Sequence, residues 1–145
     1  MTSKILVALT VALFCFASSL HAQTKPLESD ESKIPVVEFC DLMADKNRYL
    51  GKLVRTKVIV EYLISMEYVL HSKCGVKKPR VALGFKDDIE RRTGELSDEM
   101  YRQRKHSLMI TTTGVLQSAV ADGLAGFGHY QWSKFQFEIH TYTID

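Results

Sequence analysis

The strongest constraint on this chain is an alternation that begins at Val54. Even positions read Val54, Thr56, Val58, Val60, Tyr62 and Ile64, while the odd ones include Arg55, Lys57 and Glu61. A period of two sends successive side chains to opposite faces, so the run is a half-buried β-strand and not a helix. Further strands follow. Glu67 to His71 reads as a second, ended by Cys74-Gly75, and Val81 to Phe85 as a third with Val81, Leu83 and Phe85 on one side. A fourth runs from about Leu108 to Gln117, rich in threonine and β-branched residues. Asp122-Gly123 and Gly126-Phe127-Gly128 mark a loop. The last strand spans Tyr130 to Ile144, with Phe135, Phe137 and Ile139 on one side and Lys134, Gln136, Glu138 and His140 on the other. Trp132 falls on the polar side, so burying it with the phenylalanines needs a bulge or bend near Ser133.

Two helical regions punctuate the strands. Pro35 suits a first helical position, where its missing N–H is not needed. Val36, Phe39, Cys40 and Met43 then fall at the i, i+3, i+4, i+7 spacing of a buried stripe. That helix is expected to end near Asp45-Lys46-Asn47, with Tyr49 to Lys52 as a turn into the first strand. Between the third and fourth strands, Asp87 to Arg92 reads as a helical turn ended by Gly94. Ser97 then caps a second segment, with Asp98 and Glu99 at its start and Arg102, Arg104 and Lys105 at its end, the order that suits a helix dipole. Such a charge run is ordinarily a solvated face; the functional alternative is a basic contact surface made by Arg91, Arg92, Arg102 and Arg104.

The order is helix, three strands, helix, two strands. This predicts a mainly β chain with some α content: a five-stranded OB-fold-like Greek-key barrel, with an N-terminal helix and a helical insertion between strands 3 and 4. The alternative is another small α+β sheet with the helices on one face.

Residues Met1 to Ala22 predict the compartment. Lys4 is followed by an apolar run, Ile5 to Ala17, broken only by Thr10, and Leu20-His21-Ala22 offers a cleavage point before Gln23. This is a secretory signal pattern, and the run falls short of the about 20 apolar residues a spanning helix needs. The chain divides into a signal peptide (1–22), a flexible leader (23–33) and one domain (34–145), with no transmembrane anchor after cleavage. The mature protein is expected to be exported, periplasmic or secreted. The formal charge of the whole chain is +2, and the signal removes only Lys4. Such near-neutrality argues against a nucleic-acid partner.

Of three cysteines, Cys15 leaves with the signal; Phe14 before it is too bulky for a lipid-attachment site. Cys40 and Cys74 remain, and in an exported chain two cysteines most simply form one disulfide. Closing that loop stabilises by roughly 3–4 kcal/mol on the chain-entropy estimate. A catalytic thiol, or a zinc site with His71, is the sharper alternative, but the spacing matches no zinc pattern.

Cys40-Asp41-Leu42, then Asn47-Arg48-Tyr49-Leu50-Gly51-Lys52-Leu53-Val54, resembles the start of small exported bacterial OB-fold proteins, the tRNA-anti-like group. Gly126-Phe127-Gly128-His129 before an aromatic-rich strand is similar to the same group. The resemblance covers Cys40 to Val60 and Gly126 to Ile139. It implies the fold, and it brings no catalytic residues. The motif also has a plain structural account: Gly51 permits the sharp turn, Tyr49 lies across a barrel end and Lys52 stays in water.

No phosphate-cradling glycine loop, nucleophile elbow or His-Glu-x-x-His run is present, and no cofactor or metal is implied. Asp87-Asp88 and Asp98-Glu99 are explained as helix starts. The candidate ligand face consists of Phe127, His129, Tyr130 and Trp132, joined by Tyr62, Tyr68 and Lys57 from the opposite side. Aromatics with a few polar groups stack sugars, bases or peptides. In the plainer reading the same aromatics fill the barrel ends and His129 bonds to backbone. The function expected is non-enzymatic: an exported domain binding a protein, peptide or glycan of the cell envelope. The alternatives are a single-stranded nucleic-acid binder and a small hydrolase centred on His129.

Overall fold

The computed structural model describes residues 31–63 and 67–145. The expected signal peptide and most of the expected leader lie outside the described residues, as does Ile64 in the opening alternation. The end of the expected leader, Glu31–Lys33, forms a 3-10 turn. Two short helices follow, α1 (Phe39–Ala44) and α2 (Lys46–Tyr49), then β1 (Leu53–Leu63), β2 (Glu67–His71) and β3 (Arg80–Phe85). Helix α3 (Ile89–Gln103) leads to β4 (Ser107–Ser118), and β5 (Phe135–Ile144) ends the chain. The strands close into a barrel in the order β1-β2-β3-β5-β4, with β1 pairing back onto β4. Among these strands only β3 and β5 run parallel; the other pairs are antiparallel. This is a five-stranded, OB-fold-like barrel with its helical insertion between β3 and β4.

The alternation in β1 orients the barrel. Val54, Thr56, Val58 and Val60 are buried and Lys57 is exposed. Leu108, Ile110 and Leu116 of β4, with Phe137 and Ile139 of β5, complete the interior. β5 carries an irregularity that its sequence pattern conceals. Thr141 pairs with Thr113, but Ile139 pairs with Gly114, so His140 is an extra residue in the ladder. Such a bulge moves the inward row from Phe137 and Ile139 to Tyr142 and Ile144, which also pack against the core. Gly114 makes this possible. A Cβ there would lie 2.4 Å from the Glu138 carbonyl oxygen and 2.5 Å from the Phe137 ring.

Both helical expectations need correction. The first helix starts at Phe39, not Pro35, and its buried residues are Phe39, Leu42 and Met43. Val36 is exposed and lies in an extended stretch bridged to Arg55, with Arg55 N–H donating to Pro35 O (2.9 Å) and Val37 N–H to Arg55 O (2.8 Å). The reason is hydrogen-bond completion. β2 pairs only with Ile59 to Leu63 of β1, so the first half of β1 has an open side that residues 35–37 satisfy. The insertion is one continuous helix of 15 residues running through Gly94, in place of the two segments expected. Burying Leu96 and Met100 against the barrel holds α3 together across that glycine. Asp88 before it adopts φ 58° and makes no side-chain cap; its carboxylate accepts from Arg91 Nε at 2.8 Å instead.

Cys40 and Cys74 form a disulfide with Cα atoms 5.5 Å apart, tying α1 to the β2–β3 connection. No helix among the described residues is long and apolar enough to cross a membrane.

Candidate functional site

The inward row of β1 runs past the core at its far end. Tyr62 continues the row but is 41% exposed, because beyond Val60 it faces the end of α3 and not the barrel interior. The antiparallel register sets Tyr62 directly opposite Tyr68 of β2, with ring centroids 5.0 Å apart and planes tilted by 48°. Tyr68 is held in place by its hydroxyl, which donates to the Thr93 carbonyl at 3.2 Å. Across from this pair the last turns of α3 supply Met100, Tyr101 and Arg102, and the following residues supply Arg104, Lys105 and His106. Together they enclose a groove of about 660 Å³, within the range of small-molecule and saccharide-sized sites.

The end of α3 shapes this groove. Arg104 N–H donates to Tyr101 O (3.1 Å) and Lys105 N–H to Met100 O (2.9 Å), so the last carbonyls are satisfied by a left-handed cap. The capping residue is Arg104, at φ 54° and ψ 42°. Tyr101 is 89% exposed on the groove's lip. Arg102 is committed to Glu99, its Nε 2.7 Å from Oε2. Hydrogen bonds from Arg102 and then Gln103 hold the Glu99 carboxyl below its usual range, and the same contact raises Arg102. Lys105 Nζ donates to Gln103 Oε1 at 2.9 Å.

The sequence-derived face is divided by the structure. Tyr62 and Tyr68 do come together. Lys57 does not join them: it lies an odd number of positions from Tyr62, on the outer face, paired with Asp145 at 2.7 Å. Phe127 and Ser133 form an isolated bridge, and His129-Tyr130-Gln131 is a 3-10 turn where the sequence pattern starts the last strand. Tyr130 and Gln131 have φ of 62° and 53°, which turns the chain before β5. The bend near Ser133 therefore exists, but Trp132 stays 41% exposed and does not join the phenylalanines. Its indole N–H donates to Glu67 Oε2 at 2.6 Å instead. Gly128 makes room, since a Cβ there would be 2.6 Å from Trp132 Nε1. Trp132, Glu67, Ala82 and Gly128 line a second hollow of about 360 Å³, which shares Tyr68 with the groove. The indole is thus spent on an internal contact. The His129 side chain lies outside what the structure describes.

Sequence reasoning misses Tyr101. Its signal is a large aromatic one position past the buried stripe residue Met100, on an otherwise charged helix face. Among the described residues no group of three or more His, Cys, Asp and Glu side chains is placed to hold a metal ion.

No family model, curated protein or solved structure matches this chain. The architecture therefore rests on the strand order and register themselves, and the resemblance to the tRNA-anti-like group on its quoted motifs alone.

Proposed function

We propose that this protein is an exported, non-enzymatic binding module whose tyrosine-walled groove holds a glycan chain of the cell envelope. The observation that carries this reading is that Tyr62, Tyr68 and Tyr101 line one groove of about 660 Å³ together with basic side chains. Tyrosine rings offer apolar faces to sugar C–H groups and hydroxyls to their oxygens. Export is supported by the Met1–Ala22 pattern and the Cys40–Cys74 disulfide. A peptide added as an extra strand fits less well, because the strands close on themselves and residues 35–37 cover the open half of β1. The tRNA-anti-like resemblance agrees with a small exported OB domain and names no ligand.

Calorimetric titration of the mature protein with oligosaccharides from an envelope fraction tests the reading. Tyr62→Ala and Tyr101→Ala are each expected to weaken binding by about tenfold, in line with about 1–3 kcal/mol per stacking aromatic. Saccharide binding indifferent to both variants would refute the groove. Affinity for single-stranded nucleic acid that falls steeply with salt would favour the nucleic-acid reading instead.

A further inference from the structure

We infer that the groove selects a carboxylated glycan, one built from uronic acids, and that Arg104 is the residue that reads its charge. The inference rests on the glycan reading above and adds the substrate class.

The first observation is the backbone of Arg104. A left-handed residue after a helix is usually glycine, because a Cβ crowds the following carbonyl oxygen in that conformation. This chain places arginine there, at φ 54°. The cap hydrogen bonds from Arg104 and Lys105 N–H use backbone atoms alone, so glycine would make them equally well. Non-glycine residues held in strained backbone conformations cluster at binding and active sites. At this position the strain is tolerated without any return to the cap, and what arginine adds is its guanidinium at the groove.

The second observation is charge. The groove is lined by Arg102, Arg104, Lys105 and His106, and no Asp or Glu is among the described residues that line it. Arg102 is neutralised by Glu99; Lys105 keeps its charge but spends one ammonium N–H on Gln103 and offers no planar fork. Arg104 has no ion-pair or side-chain hydrogen-bond partner among the described residues, which leaves its planar fork open to a carboxylate in two-point contact. The negative end of the α3 dipole opposes an anion here, but the cap has already satisfied the Met100 and Tyr101 carbonyls. The tyrosines on both walls complete the match: rings for the sugar face, a guanidinium for its acid group.

The test uses the mature protein and a panel of short oligouronates, each with its methyl ester. The ester keeps the sugar face and removes the charge. Wild type is expected to prefer the free acid by about tenfold or more at low salt, the scale of a charge-assisted contact. Arg104→Gly is expected to lose that preference, keep ester binding, and melt at or above the wild-type temperature, since glycine relieves the backbone. A merely structural role for Arg104 predicts the reverse: lowered melting and intact preference. Equal binding of acid and ester that Tyr62→Ala abolishes would overturn the charge reading and leave the glycan site standing. Absence of any Tyr62-dependent saccharide binding would overturn both. Arg104-dependent capture of oligoglutamate without oligouronate would overturn the inference in favour of an acidic peptide.

Discussion

At the residue scale, His71 is a titratable ring that the fold places under constraint. It lies on β2 with its side chain only 5% exposed, and its Nε2 is 3.1 Å from Glu61 Oε2. Burial pushes its pKa below the ordinary 6.5; Lys78 and Arg80 add to this, while Glu61 pulls the other way. Because the folded value is lower, the unfolded chain takes up the proton first as the pH falls. His71 therefore contributes stability that is complete above about pH 6.5 and is lost as the pH falls toward its folded pKa. Urea unfolding of the wild type between pH 7.5 and 5 is expected to show a steeper loss than the His71→Gln variant; parallel curves would exclude this role. Tyr142 illustrates a quieter case. Burial first, and then its hydrogen bond to Glu95, raise it to about 12 and keep it a neutral donor. Neither environment is legible from sequence. His71 stands in a short strand with no sign of which face it occupies or which charges surround it.

At the element scale, two glycines behave oppositely, and the difference is what surrounds them. Gly94 lies inside α3 with nothing within 4 Å of the place an alanine Cβ would take. Gly94→Ala is expected to stabilise by about 0.5–1 kcal/mol through helix propensity, read as a raised denaturant midpoint with unchanged slope. Gly114 sits where β4 crosses the β5 bulge, against backbone and a core ring. Gly114→Ala is expected to destabilise by about 1–3 kcal/mol or more, because neither neighbour can yield cheaply. In sequence both are isolated glycines in otherwise regular patterns. The strand alternation reads correctly because period two is a local property that burial enforces. The helix bounds do not: residues 35–37 answer to an unpaired half-strand far along the chain, and α3 continues through glycine because the barrel end rewards its apolar stripe.

At the scale of the whole molecule, the disulfide joins α1 to the β2–β3 connection across a sequence separation of 34. Replacing Cys40 and Cys74 by serine is expected to lower stability by roughly 3–4 kcal/mol on the chain-entropy scale, measured by equilibrium unfolding. Intact mass after alkylation, with and without reductant, checks the bond itself. Sequence alone determined the succession of strands along the chain, the inward row of β1, the place of the insertion and the partners in the disulfide, because hydrophobic period, turn residues and cysteine count are each written locally. It also brought Tyr62 and Tyr68 forward together with Lys57, and the register then paired the two tyrosines. What only the tertiary structure decided was the site. The candidate face set the loop before the last strand, Phe127 to Trp132, against Lys57, Tyr62 and Tyr68, whereas the groove joins the β1–β2 hairpin to the end of α3 through the β1–β4 register. Trp132 stayed at the surface, bound to Glu67, Lys57 faced the other side, and Tyr101 and Arg104 took their places. Barrel closure made that exchange: it determines which strand ends meet which helix end, and no local pattern carries that information.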